Sequence, residues 1–362
     1  MAEIKAAGTA APPSILPGAP WHRFGDKLFG QFRIAYFVLL AMTLTMIAMG
    51  MAVAARPEQI LLNSYGNMER TVLFLAPACA WMGLVAVRLF RRGNERPLLF
   101  LRRLAWRERH WLLRTVLFFA LIEPAMTAFS KLKASIPKFV PFYADPWFIA
   151  ADRAIFGTDP WRLTHGLVGP FGTMLLDRFY IAYFIVLVVI MAWLCTTRDM
   201  RFQVRGLLTF VATWLLLGVV LATASASVGP MFYSHFYHDP AFDPLLARLR
   251  AIDTVHHLKA LDAARWLPRS GDGIGAGISA MPSLHVGKAW FAFIVVQHRC
   301  GWRWYTWVAL AFPLAMFFAS VHLAWHYAVD GIVSIVLVTG LWVLFGKLID
   351  ATQKNRRVEA RA

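Results

Sequence analysis

Eight apolar runs, most of them close to the length of a bilayer crossing, limit what this chain can fold into. They cover Ile34–Ala55, Thr71–Val87, Leu112–Ser130, Phe179–Thr196, Leu207–Ser225, Pro282–Gln297, Tyr305–Val321 and Gly331–Gly346. A helix needs roughly 20 apolar residues to cross the hydrocarbon layer, so the shorter runs are expected to extend into their flanks. Of the 362 residues, 59% are hydrophobic and only 16% charged, which excludes a soluble globular domain. In lipid, backbone amides must be paired within the spanning segment itself. The expected fold is therefore all-α, a polytopic membrane helical bundle of about eight spans. The first run starts too late for an ordinary cleaved signal peptide and reads as an uncleaved span.

The net charge of +17 raises the question of nucleic acid, but its distribution answers otherwise. Nine arginines (Arg88, Arg91, Arg92, Arg96, Arg102, Arg103, Arg107, Arg109 and Arg114) crowd between and around the second and third runs. Basic residues return after the fourth, sixth and eighth runs, while the first loop balances Arg56 and Arg70 against Glu58 and Glu69. This alternation is the positive-inside pattern. It predicts both termini in the cytoplasm and predicts membrane lipid, not nucleic acid, as the partner. Cys79, Cys195 and Cys300 are scattered and odd in number, which suggests neither a disulfide framework nor a thiolate metal site.

Two stretches place ionisable groups at span edges, where they are expensive and usually functional. In SVHLAWHYAVD (320–330), His322, His326 and Asp330 recur at i, i+4 and i+8, one face of a helix if the stretch is helical. A carboxylate one turn from an imidazole can hold its tautomer and stabilise its charged form. In GISAMPSLH (277–285), Pro282 can open a helix at its first position and leave free N–H groups near Ser283 and His285. Free N–H groups, a hydroxyl and an imidazole suit a phosphate. The charge alternation puts both stretches on the same, non-cytoplasmic side.

PSLH followed some forty residues later by HYxxD resembles the type 2 phosphatidic acid phosphatase superfamily. The pattern is most similar to its inositol-phosphorylceramide-synthase-like (inositolphosphotransferase) branch, where PSLH replaces PSGH. The resemblance implies a six-helix core, here residues 111–350. Around it lie a flexible cytoplasmic lead (1–33), two accessory spans with a basic loop (34–110) and a basic tail (351–362). It implies that His326 attacks phosphorus to form a phosphohistidine, that Asp330 supports it, and that His285 protonates the leaving group. It also implies a phosphate-binding lysine near the outer end of the third span. Lys133 is the first candidate and Lys131 the second, against the alternative that both snorkel to headgroups.

Ser283 joins the expected phosphate site, and Lys288, one turn beyond His285, either supplements its charge or snorkels. Most superfamily phosphatases carry arginine six residues before the nucleophile, where this chain has Ser320. His322 can fill part of that role when protonated, or it simply faces the membrane surface. The implied activity is a metal-independent lipid phosphatase or phosphotransferase without cofactor. Its substrate is a lipid phosphate or phospholipid, and its acceptor is water or an alcohol. Two rival classes are a metal-dependent hydrolase built on His285, His322, His326 and Asp330, and a non-enzymatic lipid or polyprenyl-phosphate carrier.

Between the third and fourth runs, Trp147, Phe148, Ile149, Ile155, Phe156 and Trp161 alternate with Asp145, Asp152 and Asp159, predicting a short interfacial helix pair that lids a lipid groove. None of these aspartates is expected in catalysis. Residues 239–276 suggest an amphipathic helix on the headgroup layer. The lack of long tails or sorting signals points to a bacterial inner membrane with the active site facing the periplasm.

Overall fold

The computed structural model describes residues 28–58, 60, 87, 91, 97–252 and 279–359. Within them the chain is helical throughout: α1 (Arg33–Val53), α2 (Pro97–Arg107), α3 (Arg109–Phe139), α4 (Asp145–Phe156), α5 (Pro160–Leu167) and α6 (Pro170–Thr196). There follow α7 (Met200–Ala224), α8 (Tyr233–Tyr237), α9 (Asp243–Arg250), α10 (Leu284–Cys300), α11 (Trp304–His322) and α12 (Ala328–Glu359).

Six of these helices, namely α1 with the turn before it, α3, α6, α7, α11 and α12, are long and apolar enough to cross a membrane. The sixth apolar run forms α10, a 17-residue helix packed among α6, α7, α11 and α12. Residues 71–86 of the second run lie outside the described residues, as do 1–27 and 253–278. Phe37, Val116, Ile185, Val189, Val308 and Val336 point outward and uncovered, as a lipid-facing surface requires. In α7, by contrast, 67% of the most apolar window is buried against 33–39% in the other five, so α7 is the axis of the bundle.

The spans outgrow the apolar runs. α6 starts at Pro170, nine residues before its run, because proline is at home in a first turn. α3 continues through Lys131 and Lys133 to Phe139, so these lysines sit on a helix and not in the loop after it. The expected short helix pair is present as α4 and α5. Asp159 precedes Pro160 at the start of α5, and Gly157 (φ 72°) takes the left-handed conformation that ends α4. α9 buries Leu245, Leu246 and Leu249 on one side, as an amphipathic helix should.

One expectation fails. His322, His326 and Asp330 do not share a helical face, because α11 ends at His322 and α12 begins at Ala328. Ala324 adopts a left-handed conformation (φ 65°), and the amides of Trp325 and His326 both turn back to the Ser320 carbonyl, at 3.0 and 3.2 Å. At the other end of α12, Arg201 grips Asp350 through both carboxylate oxygens at 2.7 Å. The twenty residues between Asp330 and Asp350 put about 30 Å, one hydrocarbon thickness, between that ion pair and the histidine motifs.

Candidate active site

The turn after α11 presents His326 to the first turn of α12. Asp330 Oδ2 accepts the Tyr327 amide at 3.0 Å and faces His326 Nδ1 at 3.3 Å. The carboxylate is thus fixed by backbone before it orients the imidazole. Its other oxygen, Oδ1, is buried without a hydrogen-bond partner among the described residues. Burial pushes His326 down to about 3, the Lys133 charge pushes the same way, and the Ala280 carbonyl opposes both. The ring is therefore neutral at ordinary pH, with a lone pair to offer.

His285 approaches from α10, its ring centroid 6.2 Å from that of His326. The helix starts two residues later than expected. Ser283 is the N-cap, its hydroxyl oxygen accepting the Val286 amide at 3.4 Å, and Pro282 lies just outside. The amides of Leu284 and His285, in the first turn, then have no intrahelical acceptor. His285 itself makes no hydrogen bond among the described residues. It is held by rings instead: Tyr180 stacked at 4.5 Å, Tyr183 at 4.9 Å and Phe184 edge-on at 6.3 Å, all from α6. From α3, Lys133 lies within electrostatic reach of both imidazoles and has no partner among the described residues. Lys131, two residues away, projects from a different face of the helix.

Two buried aspartates, absent from the expected site, hold this arrangement together. Asp145 in α4 accepts the amides of Val228 (2.9 Å) and Gly229 (2.8 Å) and the hydroxyls of Tyr237 (3.0 Å) and Tyr327 (2.8 Å). It thereby ties α4, the end of α7, α8 and the residue after His326 into one unit. Gly229 (φ 78°) is needed there, since a Cβ would come 2.9 Å from the Trp325 carbonyl oxygen. Ser227, next to it, accepts the Ala280 amide on its carbonyl and the Met281 amide on its hydroxyl, each at 3.0 Å, which docks the approach to α10.

Asp152 caps α12 from another helix, each oxygen taking one amide, Ala328 and Val329, at 2.8 Å. Burial raises Asp152 to about 6, against the pull of those two amides and with the charges of Asp330 and Asp159. Asp152, Asp159, Trp161, Phe242, His326 and Tyr327 line a small recess, with room for about one water molecule, between the α4–α5 pair and the nucleophile candidate. The alternation of Asp with aromatics in 145–161 was the only trace of these ties, and it reads equally well as a membrane-surface pattern.

The remaining expected residues go elsewhere. His322 Nδ1 meets Thr164 Oγ1 at 3.2 Å and Nε2 meets Thr173 Oγ1 at 2.8 Å, while the ring stacks on His165 at 3.9 Å. Both nitrogens are engaged, so the four-ligand set His285, His322, His326 and Asp330 is not assembled. Lys288 donates to the Phe210 carbonyl at 2.6 Å and lies over the rings of Phe210 (3.8 Å) and Trp214 (4.8 Å). That carbonyl, which also accepts the Thr213 amide, lies just before the π stretch of α7, Thr213–Leu221.

A family profile described as the PAP2 superfamily matches residues 146–344, more than half of the chain. No curated protein and no solved structure matches the chain. The match spans α4 through most of α12, and so covers both histidine motifs and the aspartate that caps α12. With six helices fit to cross a membrane, it suits a membrane lipid phosphatase in general. The chain belongs to the PAP2 superfamily.

Proposed function

We propose that the protein moves the phosphoryl group of a lipid phosphate or phospholipid through a phosphohistidine at His326, with water or an alcohol as acceptor. The observation that carries this reading is the pairing of His326 with Asp330 at 3.3 Å, opposite a second imidazole, His285, that makes no hydrogen bond among the described residues. The nucleophile is neutral and oriented, and the acid–base group is unoccupied.

In the first step the free nitrogen of His326 attacks phosphorus. The N–P bond forms as the P–O bond to the departing alcohol breaks, and protonated His285 gives that oxygen its proton. In the second step His285 takes the proton of the incoming hydroxyl, whose oxygen displaces His326 from phosphorus. Phosphoryl transfer depends mainly on positioning and on positive charge around the equatorial oxygens. Lys133, the Ser283 hydroxyl and the amides of Leu284 and His285 supply it at the start of α10. Lys131 is a reserve donor at most, and Lys288 and His322 serve the framework. Asp330 holds the tautomer and offsets the charge that develops on His326.

Transfer to an alcohol, as in the inositolphosphotransferase-like branch, is the finer reading. The site then lies on the non-cytoplasmic side, periplasmic in a bacterial inner membrane.

Purified protein incubated with ³²P-labelled phosphatidic acid, quenched rapidly in alkali, should retain acid-labile label, and His326→Ala should not. Equal labelling of both proteins would sink the covalent step. Adding glycerol or inositol during turnover divides the product: label leaving only as inorganic phosphate marks a phosphatase, and label on the polyol marks a transferase.

A further inference from the structure

The hydroxyl of Tyr180 is unexplained by packing. The side chain is 5% exposed, and the hydroxyl is buried with no hydrogen-bond partner among the described residues. Buried polar groups are almost always paired, and leaving one unpaired is destabilising. A phenylalanine would fill the same space without that penalty.

The ring itself has a clear role. It stacks on His285 at 4.5 Å with the planes 28° apart, and it lies parallel to Trp325, the residue before His326, at 6.0 Å and 4°. Tyr180 is therefore wedged between the two segments that carry the catalytic histidines. A phosphoryl group touching both imidazoles would lie beside that ring.

The donors of the site also leave room for one more. Three equatorial oxygens share the charge of the transferring group. Ser320, which borders the turn, is unable to help, because its hydroxyl already donates to the Phe317 carbonyl at 2.7 Å. His322 and Lys288 are occupied as well.

We propose that Tyr180 is a further catalytic residue, its hydroxyl donating a hydrogen bond to a phosphoryl oxygen held between His285 and His326. This rests on the phosphoryl chemistry proposed above. A neutral donor suits the position, because a second cation beside Lys133 would oppose protonation of His285.

Tyr180→Phe keeps the ring and its stack on His285 and removes one O–H. The full chain in detergent is compared as wild type, Tyr180→Phe and His326→Ala. Orthovanadate, which mimics the phosphoryl transition state, is titrated by the rise it causes in unfolding temperature. Phosphate release from phosphatidic acid is followed alongside. In Tyr180→Phe the unfolding temperature without ligand should equal or exceed that of wild type. Vanadate affinity and kcat should each fall about 10- to 100-fold, the scale of a hydrogen bond to a charged group.

Unchanged vanadate affinity or unchanged kcat would overturn the proposal and leave the phosphohistidine reading standing. A clearly lower unfolding temperature without ligand would mean that the hydroxyl is already paired at rest, and would overturn it too. Wild-type protein that neither binds vanadate nor releases phosphate would remove both readings together.

Discussion

His322 and His326 lie four residues apart in the chain and in opposite kinds of surroundings. His322 ends a helix, has a threonine hydroxyl on each nitrogen and stacks flat on His165 at 3.9 Å. His326 sits in the turn that follows, with the Asp330 carboxylate at Nδ1, the Ala280 carbonyl close to the ring and a second imidazole 6.2 Å away. Both rings are buried; what separates them is available lone pairs. A histidine satisfied on both nitrogens is part of the scaffold, and one satisfied on a single nitrogen is ready for chemistry. The left-handed Ala324 makes the difference, since it turns the chain before His326 can join the face of His322.

Substituting each in turn tests that contrast most severely. His326→Ala should lower turnover of phosphatidic acid by roughly 10³-fold or more, as loss of a covalent nucleophile does. His322→Ala should leave turnover near that of wild type and cost about 2 kcal/mol of stability, two hydrogen bonds at about 1 kcal/mol each. The reverse ranking in a turnover assay would mean that the open histidine has been misidentified.

His285 sharpens the comparison, being open in a different way. Among the described residues its nitrogens have no partner, and aromatic rings hold it in place. His285→Gln should lower turnover of lipid substrates by about 10²- to 10⁴-fold, the usual worth of a general acid. The loss should shrink on 4-nitrophenyl phosphate, whose leaving group needs no proton. An equal loss on both substrates would remove the general-acid role while leaving His326 as nucleophile.

The same distinction separates two lysines, Lys133 and Lys288. Lys133 has no partner among the described residues and faces the imidazoles, whereas Lys288 caps the Phe210 carbonyl beneath aromatic rings. Lys133→Met should weaken turnover about tenfold or more, the worth of one charge-assisted contact, with little change in unfolding temperature. Lys288→Met, of similar length and apolar, should keep turnover, because a buried charge can often be replaced by a well-packed apolar side chain. Assays of kcat/KM and unfolding temperature on the pair decide which lysine serves phosphate.

Much of this was legible in the chain. The apolar runs announce the spans, and PSLH and HYxxD announce the two ends of the site, because both are local patterns. What was hidden is long-range or conformational. Neither glycine nor proline marks the turn at 323–327, so a helical face through His322, His326 and Asp330 was the natural extrapolation. Asp145 makes its bonds to residues 228, 229, 237 and 327, and no spacing rule connects positions that far apart. Lys288 sits one turn from His285, yet it turns to the Phe210 carbonyl of α7, a partner 78 residues away in the chain.

The smallest expected effect concerns Asp152, which holds α12 in place for Asp330 without touching the chemistry. Its carboxyl is raised from 3.8 to about 6 in the folded protein. Between those values the folded form binds more proton than the unfolded form, so Asp152 makes stability rise as pH falls through 6, levelling off below 3.8. His326 acts in the opposite sense: held near 3 instead of 6.5, it makes stability fall as pH drops through that window. The wild-type curve therefore mixes two opposed slopes. Asp152→Asn removes one of them, and the variant should lose stability relative to wild type as the pH is lowered from 7 to 4. Unfolding temperatures measured in detergent across that range supply the difference curve. A flat difference would mean that the Asp152 carboxyl titrates alike in the folded and unfolded chain, so that its bonds to Ala328 and Val329 fully offset its burial.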